Sequence, residues 1–562
     1  MTALKDRYDW VIVGSGGGSM CAALAAKRLG KEAVILEKQS KVGGSTGFSG
    51  GVWWVPNNLL LARAGVHDSY ELGRKYVDAV VGPETPATSA ARRDAFLRTA
   101  PKMIEFLEAV GMKLFWPDGW SDYHDNLPGG QPRGRSIMAD PFNIKELGEW
   151  AERLSTYKPF RSLPVSAEKG RDLGLIKRSW VGKRAALNLA WTILSAKLTG
   201  KDIVTNGAAI QGRMLQIALR EGIPIFPDTP VTDLLVEGGR VVGVKVMHDG
   251  KELEVRGDNV LLDSGGFARN AQLREQYQRN PQSATNANHG DTGEVMQMAM
   301  RLGAATESLD AAVWVTTSRS TNGTWPEGSV IDGEVFPPMH NFDISKPHNI
   351  MVDGLGERFV NEATSYVTIG ERMYQRQQET GRAVPTWMIM DSRFIKWYGI
   401  GATPPGVTPK QWYDSGYLRK AATLEALAAD CGIDAAGLKR TVERFNGFAA
   451  RGVDEDFGRG EAQYDKWRGD PKNHPNPSLG SIAEPPFYAV SMYPGDVGTT
   501  GGLLTDEYAR VLRSDGSAIP GLFATGNCAA SPFGHTYPGA GASIANSFTF
   551  GYIAVQHVGG KS

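Results

Sequence analysis

Residues 8–37 constrain the fold of this chain more than any other stretch of similar length. Tyr8 to Val13 is an apolar run that reads as a buried strand. Gly14-Ser15-Gly16-Gly17-Gly18-Ser19 comes next, then a helix from about Ser19 to Leu29, then a second apolar run from Glu32 to Leu36 that ends in Glu37. Strand, glycine turn, helix and strand form a βαβ unit of the kind that binds dinucleotides. Gly14 permits the tight turn and Gly16 lets the backbone approach a pyrophosphate, with Gly17 and Gly18 continuing the turn. The helix N-terminus offers unpaired N–H groups and a partial positive charge to that phosphate. Glu37 lies about 20 residues on, where an acid accepts hydrogen bonds from a ribose and disfavours a 2′-phosphate. The fingerprint departs at Ser19, which stands where a third glycine is usual and remains small enough for helix–strand packing.

The stretch after the βαβ unit separates FAD from NAD. Beyond Glu37 and Lys38 come Lys41-Val42-Gly43-Gly44-Ser45-Thr46 and Ser49-Gly50-Gly51. This resembles the glycine-serine stretch that two-dinucleotide-binding-domain flavoproteins lay along the FAD pyrophosphate and flavin, and NAD dehydrogenases generally lack it. Further along, Asn206 to Arg220 reads as a helix, Pro224 to Phe226 and Val231 to Val236 as short strands, and Arg240 to Met247 with Leu253 to Asn259 as a hairpin. Val260 to Asp263 is a strand leading into Ser264-Gly265-Gly266, where backbone is expected to press on the cofactor. Gly290 to Gly293 opens a helix over Glu294 to Leu302. Near the C-terminus, Gly521 to Asn527, with Gly526 and Asn527 in the turn, is of the type that closes FAD domains. Gly541 to about Val558, carrying Ser543 in its first turn, reads as a helix whose N-terminus points at the flavin and would stabilise an anionic reduced state.

At 562 residues the chain needs more than one core. The predicted class is α/β: a Rossmann-like FAD-binding domain over 1–308 and 485–562, with an inserted α+β substrate (cap) domain over 309–484, where Trp, Pro and polar loops dominate around a helix near Leu424 to Ala450. Such a cap places the substrate at a domain interface. The formal net charge is +0, which argues against broad electrostatic binding to nucleic acid. Three cysteines without metal-like spacing exclude a disulfide framework and most zinc sites, so no metal is expected and a cytoplasmic setting is the simplest one. No targeting segment is visible, and no uncharged apolar run reaches the roughly 20 residues that span a bilayer.

Three motifs carry a resemblance that covers most of the chain. They are Trp120-Ser121-Asp122-Tyr123 with Leu127 to Gly130 and Gly134-Arg135-Ser136; Gly356-Glu357-Arg358-Phe359-Val360-Asn361-Glu362 with Tyr366; and Gly534-His535-Thr536-Tyr537-Pro538-Gly539-Ala540-Gly541. With them the sequence resembles the 3-ketosteroid Δ1-dehydrogenases, within the wider fumarate reductase and succinate dehydrogenase flavoprotein family. The resemblance implies loss of two hydrogens from carbons 1 and 2 of a 3-ketosteroid, with Tyr366 as base, Tyr123 assisting it, and a quinone or other acceptor reoxidising the flavin. The chemistry has its own demands: a proton alpha to a ketone leaves, a hydride goes to the flavin, and donors aimed at the ketone oxygen lower the barrier. Tyr537 could supply an O–H, and Gly541 a backbone N–H with no intrahelical partner. His535 is expected in a structural or flavin-edge role. The rivals are a steroid 4,5-desaturase, a fumarate reductase-like enzyme, and a flavin-binding redox protein without turnover.

Residues about 155–205 fall outside the resemblance. Within 171–201, leucines, isoleucines, Trp180 and Trp191 interleave with Lys177, Arg178, Lys183, Arg184, Lys197 and Lys201. A basic, Trp-bearing amphipathic segment suits a membrane interface, which would place the enzyme on the inner face of the cytoplasmic membrane. A helical excursion packed on its own protein, or on a second copy, fits the same pattern.

Overall fold

The computed structural model describes residues 3–161, 163–278, 284–401 and 403–560. Its principal sheet runs in the order Arg510–Leu512, Ala518–Ala524, Lys251–Leu262, Arg7–Val13, Ala33–Leu36, Ile225–Phe226. All pairs from Ala518–Ala524 to Ile225–Phe226 are parallel. Where these strands pair, their residues are apolar and buried: Trp10, Ile12 and Ile35 pack under the helices Gly17–Arg28 and Ala542–Val558, while Val11, Val13 and Val34 pack against Val241, Val244 and Val246 of the hairpin and Met296 of the helix Glu294–Arg301. Register is the feature that matters for function. Val13 lies opposite Leu36 and Leu262, and Leu262 opposite Ala524, so the carboxyl ends of four strands finish level. Ligands bind beyond such ends in parallel α/β sheets.

The helix Gly17–Arg28 begins two residues earlier than the sequence suggests. Its start is pressed against the final helix, Ala542–Val558. A Cβ at Gly17 would lie 1.8 Å from the Phe548 ring, and one at Gly551 2.6 Å from the Gly18 carbonyl. The close-packing demand that the third fingerprint glycine usually meets is thus met by other glycines. Ser19 is free to donate from both its backbone N–H and its hydroxyl to Asp263, at 2.7 and 2.9 Å. The two strand segments expected at 253–259 and 260–263 are one strand, Lys251–Leu262, which leaves the hairpin and enters the parallel sheet without a break.

A second, antiparallel sheet has the long strand Phe487–Thr499 as its hub. That strand pairs with Ala312–Ser318, Thr386–Met390 and Leu418–Ala421, and Asn349–Val352 pairs with Thr386–Met390. The sheet therefore takes in residues on both sides of position 484. The helix expected over 424–450 is two helices, Leu424–Cys431 and Ala435–Arg451. Gly432, at φ 69°, ends the first, and the Asp434 carboxylate caps the second by accepting from Gly437 N–H. Among the described residues no helix is long and apolar enough to cross a membrane.

One buried ion network anchors the part of the chain built on this second sheet, the second unit of the molecule; it reaches the sheet where Arg459 donates to the Asn349 carbonyl at 2.9 Å. Arg358 donates to Glu362 (2.9 and 2.8 Å) and to Asp454 (3.0 and 2.9 Å), while Arg459 donates to Glu362 at 3.0 Å. Burial alone would raise the Glu362 carboxyl, but the two guanidinium groups outweigh it and hold it at about 2. A depressed carboxyl contributes stability above its ordinary value of 4.5 that is lost as pH falls toward 2. Removing the charge leaves two arginines under-compensated. We expect Glu362→Gln to cost about 3–5 kcal/mol and to flatten the acid limb of a Tm-versus-pH curve. An unchanged melting profile between pH 3 and 7 would refute this.

Candidate active site

A cavity of about 1070 Å³ opens at the level strand ends and extends toward the second sheet. Its floor is backbone: Gly14, Ser15 and Gly16 after the first strand, Glu37 and Lys38 after the second, Asp263 and Gly265 after the third, Gly526 and Asn527 after the fourth. Gly44, Ser45, Thr46, Ser49, Gly50 and Gly51 form one wall, and Gly541, Ser543 and Ser547 another. Gly17, Gly18, Gly43 and Gly266 lie behind this surface. Gly17 and Gly18 face the last helix, Gly43 backs onto Gln211, and a Cβ at Gly266 would sit 2.0 Å from the Thr499 hydroxyl.

The helix start offered to phosphate is more occupied than the sequence suggests. The Gly17 N–H donates to the Thr46 hydroxyl (3.3 Å), the Gly18 N–H to Ser547 (3.1 Å) and the Ser19 N–H to Asp263. The Glu37 carboxylate accepts from Ser15 N–H (3.0 Å), Ser15 O–H (2.6 Å) and Gln39 N–H (2.9 Å), and burial raises its pKa. A carboxylate has about four acceptor sites, so a ribose hydroxyl can still be taken. The Lys38 ammonium is held by Thr292 and, at 3.0 Å, by Glu294. Two buried acids face the cavity beside these groups: burial pushes Asp263 up to about 6 and Asp291 up to about 7, and Ser45 donates to Asp291 at 2.9 Å. Backbone floor, hydroxyl walls and the length of the cleft fit an FAD molecule with room beside it. The volume lies just above the roughly 300–1,000 Å³ range of ordinary ligand sites.

Beside that cradle four tyrosines from four elements converge. The Tyr123–Tyr366 ring centroids are 5.4 Å apart, Tyr366–Tyr537 5.9 Å, Tyr123–Tyr537 6.0 Å and Tyr123–Tyr464 4.6 Å. Each is positioned locally. The Pro538 carbonyl accepts from both Tyr123 N–H (3.1 Å) and the Tyr76 hydroxyl (2.6 Å), which ties the Tyr123 loop to the Tyr537 loop. Next to Tyr123, Asp122 is locked by Arg135 (2.5 Å), Trp54 Nε1 (2.8 Å) and Gln131 N–H (3.0 Å). Tyr366 is the first residue of the helix Tyr366–Thr380. Tyr464 sits in the first turn of Gln463–Arg468, whose leading N–H groups donate to Asp125, at the end of the Tyr123 motif. No sequence motif marks Tyr464. Only the fold brings it to the cluster.

Tyr537 and Gly541 meet at the start of the last helix. The Tyr537 hydroxyl accepts from Ser543 N–H (3.2 Å) and lies 2.9 Å from the Ser543 hydroxyl. Burial raises the Tyr537 phenol and these contacts oppose the rise. Tyr366 and Tyr123 are driven well above the usual tyrosine value of 10, chiefly by burial. For Tyr366 the neighbouring Tyr537 oxygen adds to the rise and a polar contact with Tyr123 opposes it. Gly541 has φ 86°, and a Cβ there would sit 1.8 Å from the Val52 carbonyl. Glycine is thus required by the neighbouring strand. His535 is placed outside the cluster, 2.9 Å from Asp310.

Residues 9–544 match the FAD binding domain family model. The chain is 40% identical to a 3-oxosteroid 1-dehydrogenase of Mycolicibacterium smegmatis, over 98% of this chain and 97% of the relative. It is 38% identical to one of Mycobacterium tuberculosis, over 98% of both. The chain belongs to the 3-oxosteroid 1-dehydrogenase family of FAD-binding proteins. Its fold superposes on the 3-ketosteroid Δ1-dehydrogenase of Sterolibacterium denitrificans, solved in complex with 1,4-androstadiene-3,17-dione, with a TM-score of 0.90, 33% identity and coverage of 99% of this chain and 100% of that one. The α/β class, the FAD cofactor and the family read from the sequence are those of the molecule. The close fit of the helix start against Val52 makes Gly541 a position where a substitution can be read. We expect Gly541→Ala to displace the helix start from Val52 and to lower kcat/KM about 100-fold while FAD remains bound. Absorbance of the bound flavin and steady-state turnover measure the two effects separately, and wild-type turnover would show that the glycine is dispensable.

Proposed function

We propose that this protein desaturates the 1,2 bond of 3-ketosteroids, with Tyr366 taking the proton from carbon 2 and with Tyr537 and Gly541 holding the 3-ketone oxygen. The convergence of Tyr123, Tyr366 and Tyr537 on one helix start, beside the FAD cradle, carries this reading. When bound, FAD accepts the hydride that leaves carbon 1. The Tyr537 hydroxyl already accepts the Ser543 N–H, so its own proton is available to the ketone. The Gly541 N–H precedes the helix and adds a second donor, and the N-terminal end of the helix stabilises the enolate charge. A phenol as buried as Tyr366 is a poor base by itself. Acidification of the carbon 2 proton by the polarised ketone is therefore essential, and Tyr123 supports the phenolate through its contact with Tyr366. The departing proton goes to Tyr366, and the electron pair it leaves on carbon 2 closes the 1,2 double bond as carbon 1 gives up its hydride. A dicarboxylate substrate fits poorly: among the described residues the cavity wall holds no arginine or histidine.

Incubation with androst-4-ene-3,17-dione and an artificial electron acceptor tests the assignment. A new cross-conjugated dienone is expected. Desaturation of 5α-saturated steroids alone would favour a 4,5-desaturase, and fumarate reduction without steroid turnover would overturn the substrate class. In Tyr366→Phe, exchange of the carbon 2 proton with solvent should be lost with flavin retained. In Tyr537→Phe, kcat should fall by about 10²–10³. Normal turnover by Tyr366→Phe would place the base elsewhere.

A second reading concerns location. The helix Trp180–Leu198 is apolar on two sides. Ala186, Leu189, Ala190 and Ile193 face the cavity, while Trp180, Leu187, Trp191 and Leu198 stand 67–80% exposed on the outside. Exposed tryptophans and leucines flanked by Lys183, Arg184 and Lys197 favour contact with an anionic lipid surface, from which apolar steroids and a quinone acceptor would partition. Not every basic residue of the segment serves this: Arg178 is drawn inward to Asp470 at 2.6 Å. Vesicle flotation should drop when Trp180, Leu187, Trp191 and Leu198 are replaced by serine, with turnover of a soluble steroid unchanged. Equal flotation of both proteins, or none by the parent, would remove this reading.

A further inference from the structure

The helix Gln463–Arg468 links two parts of the cavity. Tyr464 in its first turn packs on Tyr123, and at its other end the Arg468 and Gly469 carbonyls hold the ammonium of Lys346, the latter at 3.1 Å. At about 1.5 Å per residue, the four to five residues from Tyr464 to Arg468 and Gly469 separate these two contacts by roughly 6–8 Å along the helix. Lys346 is 2% exposed and lines the cavity. Its stem lies against Gly174, and the neighbouring wall is Gly170, Leu173 and Ile176, all contributed by the 155–205 excursion.

One turn before Lys346 stands Asp343, also buried and also in the cavity wall; the Lys346 N–H donates to its backbone carbonyl at 2.9 Å. Its side chain is fixed from behind. Oδ2 lies 2.6 Å from His340 Nδ1 and accepts from Gly401 N–H at 2.7 Å, while His340 Nε2 is 2.7 Å from the Ser318 hydroxyl, which is 2.7 Å from the Tyr417 hydroxyl. Oδ1 is buried and has no hydrogen-bond partner among the described residues. An unmet buried acceptor is costly, and a carboxylate oxygen held so firmly in place suits a donor brought by a ligand. Lys346 has three N–H donors and spends two on the Arg468 and Gly469 carbonyls, which leaves one. Nearby charges are already committed: Arg178 and Tyr398 bind Asp470, and Arg171 pairs with Asp172.

We propose that Asp343 Oδ1 and Lys346 Nζ form a specificity site for a hydroxyl group on the D-ring end of the steroid, Asp343 accepting its proton in a hydrogen bond and Lys346 donating to its oxygen. A hydroxyl satisfies both partners. A ketone leaves Asp343 unmet, and a carboxylate is repelled by it. The inference rests on the steroid reading above, with ring A anchored at Tyr537.

Three steroids that differ only at carbon 17 test it: testosterone, androst-4-ene-3,17-dione and androst-4-en-3-one. Affinity is read from the flavin absorbance change on binding, and kcat/KM from turnover. The intact protein should prefer the 17-hydroxyl over both others by at least tenfold. In Asp343→Asn the amide oxygen must stay with Gly401 N–H, so the NH₂ group faces the cavity, and the preference should invert toward the 17-ketone. Lys346→Met should reduce the hydroxyl preference without inverting it, and it keeps the test decisive if the first variant does not fold. Equal affinity for the three steroids, or a hydroxyl preference unaltered in the variants, overturns the proposal. Failure of all three to be desaturated would instead count against the proposed function and leave the binding comparison readable.

Discussion

The carboxylate of Asp263 is the constraint on which the rest of the site depends. It stands one residue past the level ends of the parallel strands, and its backbone N–H donates to the Val13 carbonyl at 2.9 Å. Oδ2 accepts from the first turn of the N-terminal helix through Ser19, and Oδ1 from Ser547 in the C-terminal helix at 3.2 Å. One buried group thus connects sequence positions 19, 263 and 547. A Cβ at Gly526 would sit 2.3 Å from Oδ1 and one at Gly16 3.0 Å from Oδ2, so the glycines around it are glycines largely because the carboxylate is there. Burial pushes its pKa up to about 6, a cost borne because the hydrogen bonds fix where both helices begin.

Fixing the second of those helices also fixes the tyrosine cluster. The helix Ala542–Val558 presents Gly541 and Ser543 to the cavity, and Ser543 in turn holds the Tyr537 hydroxyl. The same loop, through the Pro538 carbonyl, holds Tyr123. Three of the groups at the tyrosine cluster are therefore referred to one helix terminus. Tyr366 and Tyr464 come from the second unit, where the Arg358–Glu362–Arg459 network lies just before Tyr366. The cluster is complete only where the two units meet.

The N-terminal βαβ unit was legible in the sequence because its signals are local: apolar runs of strand length, glycines in the turn, an acid at the next strand end. The helix Asn206–Arg220 was legible to the residue for the same reason. Tyr123, Tyr366, Tyr537 and Gly541 were legible through motifs. Tyr464, Asp343 and Lys346 were not: Tyr464 and Lys346 reach the cavity through contacts with Tyr123 and Arg468, each more than a hundred positions away, Asp343 is fixed by Gly401 N–H 58 positions on, and none lies in a pattern that local chemistry demands. Periodicity misread 424–450 as one helix because Gly432 and Asp434 interrupt it for only three residues. The two glycines at 17 and 18 look like phosphate-facing positions, yet they serve helix packing. Only the partner helix, more than five hundred residues away in sequence, shows this.

The 155–205 excursion shows how one helix can answer two opposite demands. An amphipathic helix normally gives its apolar face to the core and its polar face to water. Trp180–Leu198 has apolar residues at 186, 189, 190 and 193 toward the cavity and at 187, 191, 194 and 198 away from it. The first set closes the cavity with small and aliphatic side chains suited to a hydrocarbon ligand. The second would be a liability in water alone, because burial of one face does not offset exposure of the other. On the lipid-contact reading proposed above, the outer face would meet the apolar phase and the inner face would put the ligand cavity one helix thickness from it. The same excursion supplies Gly170, Leu173 and Gly174 beside Lys346, so the element that covers the cavity also shapes its far end.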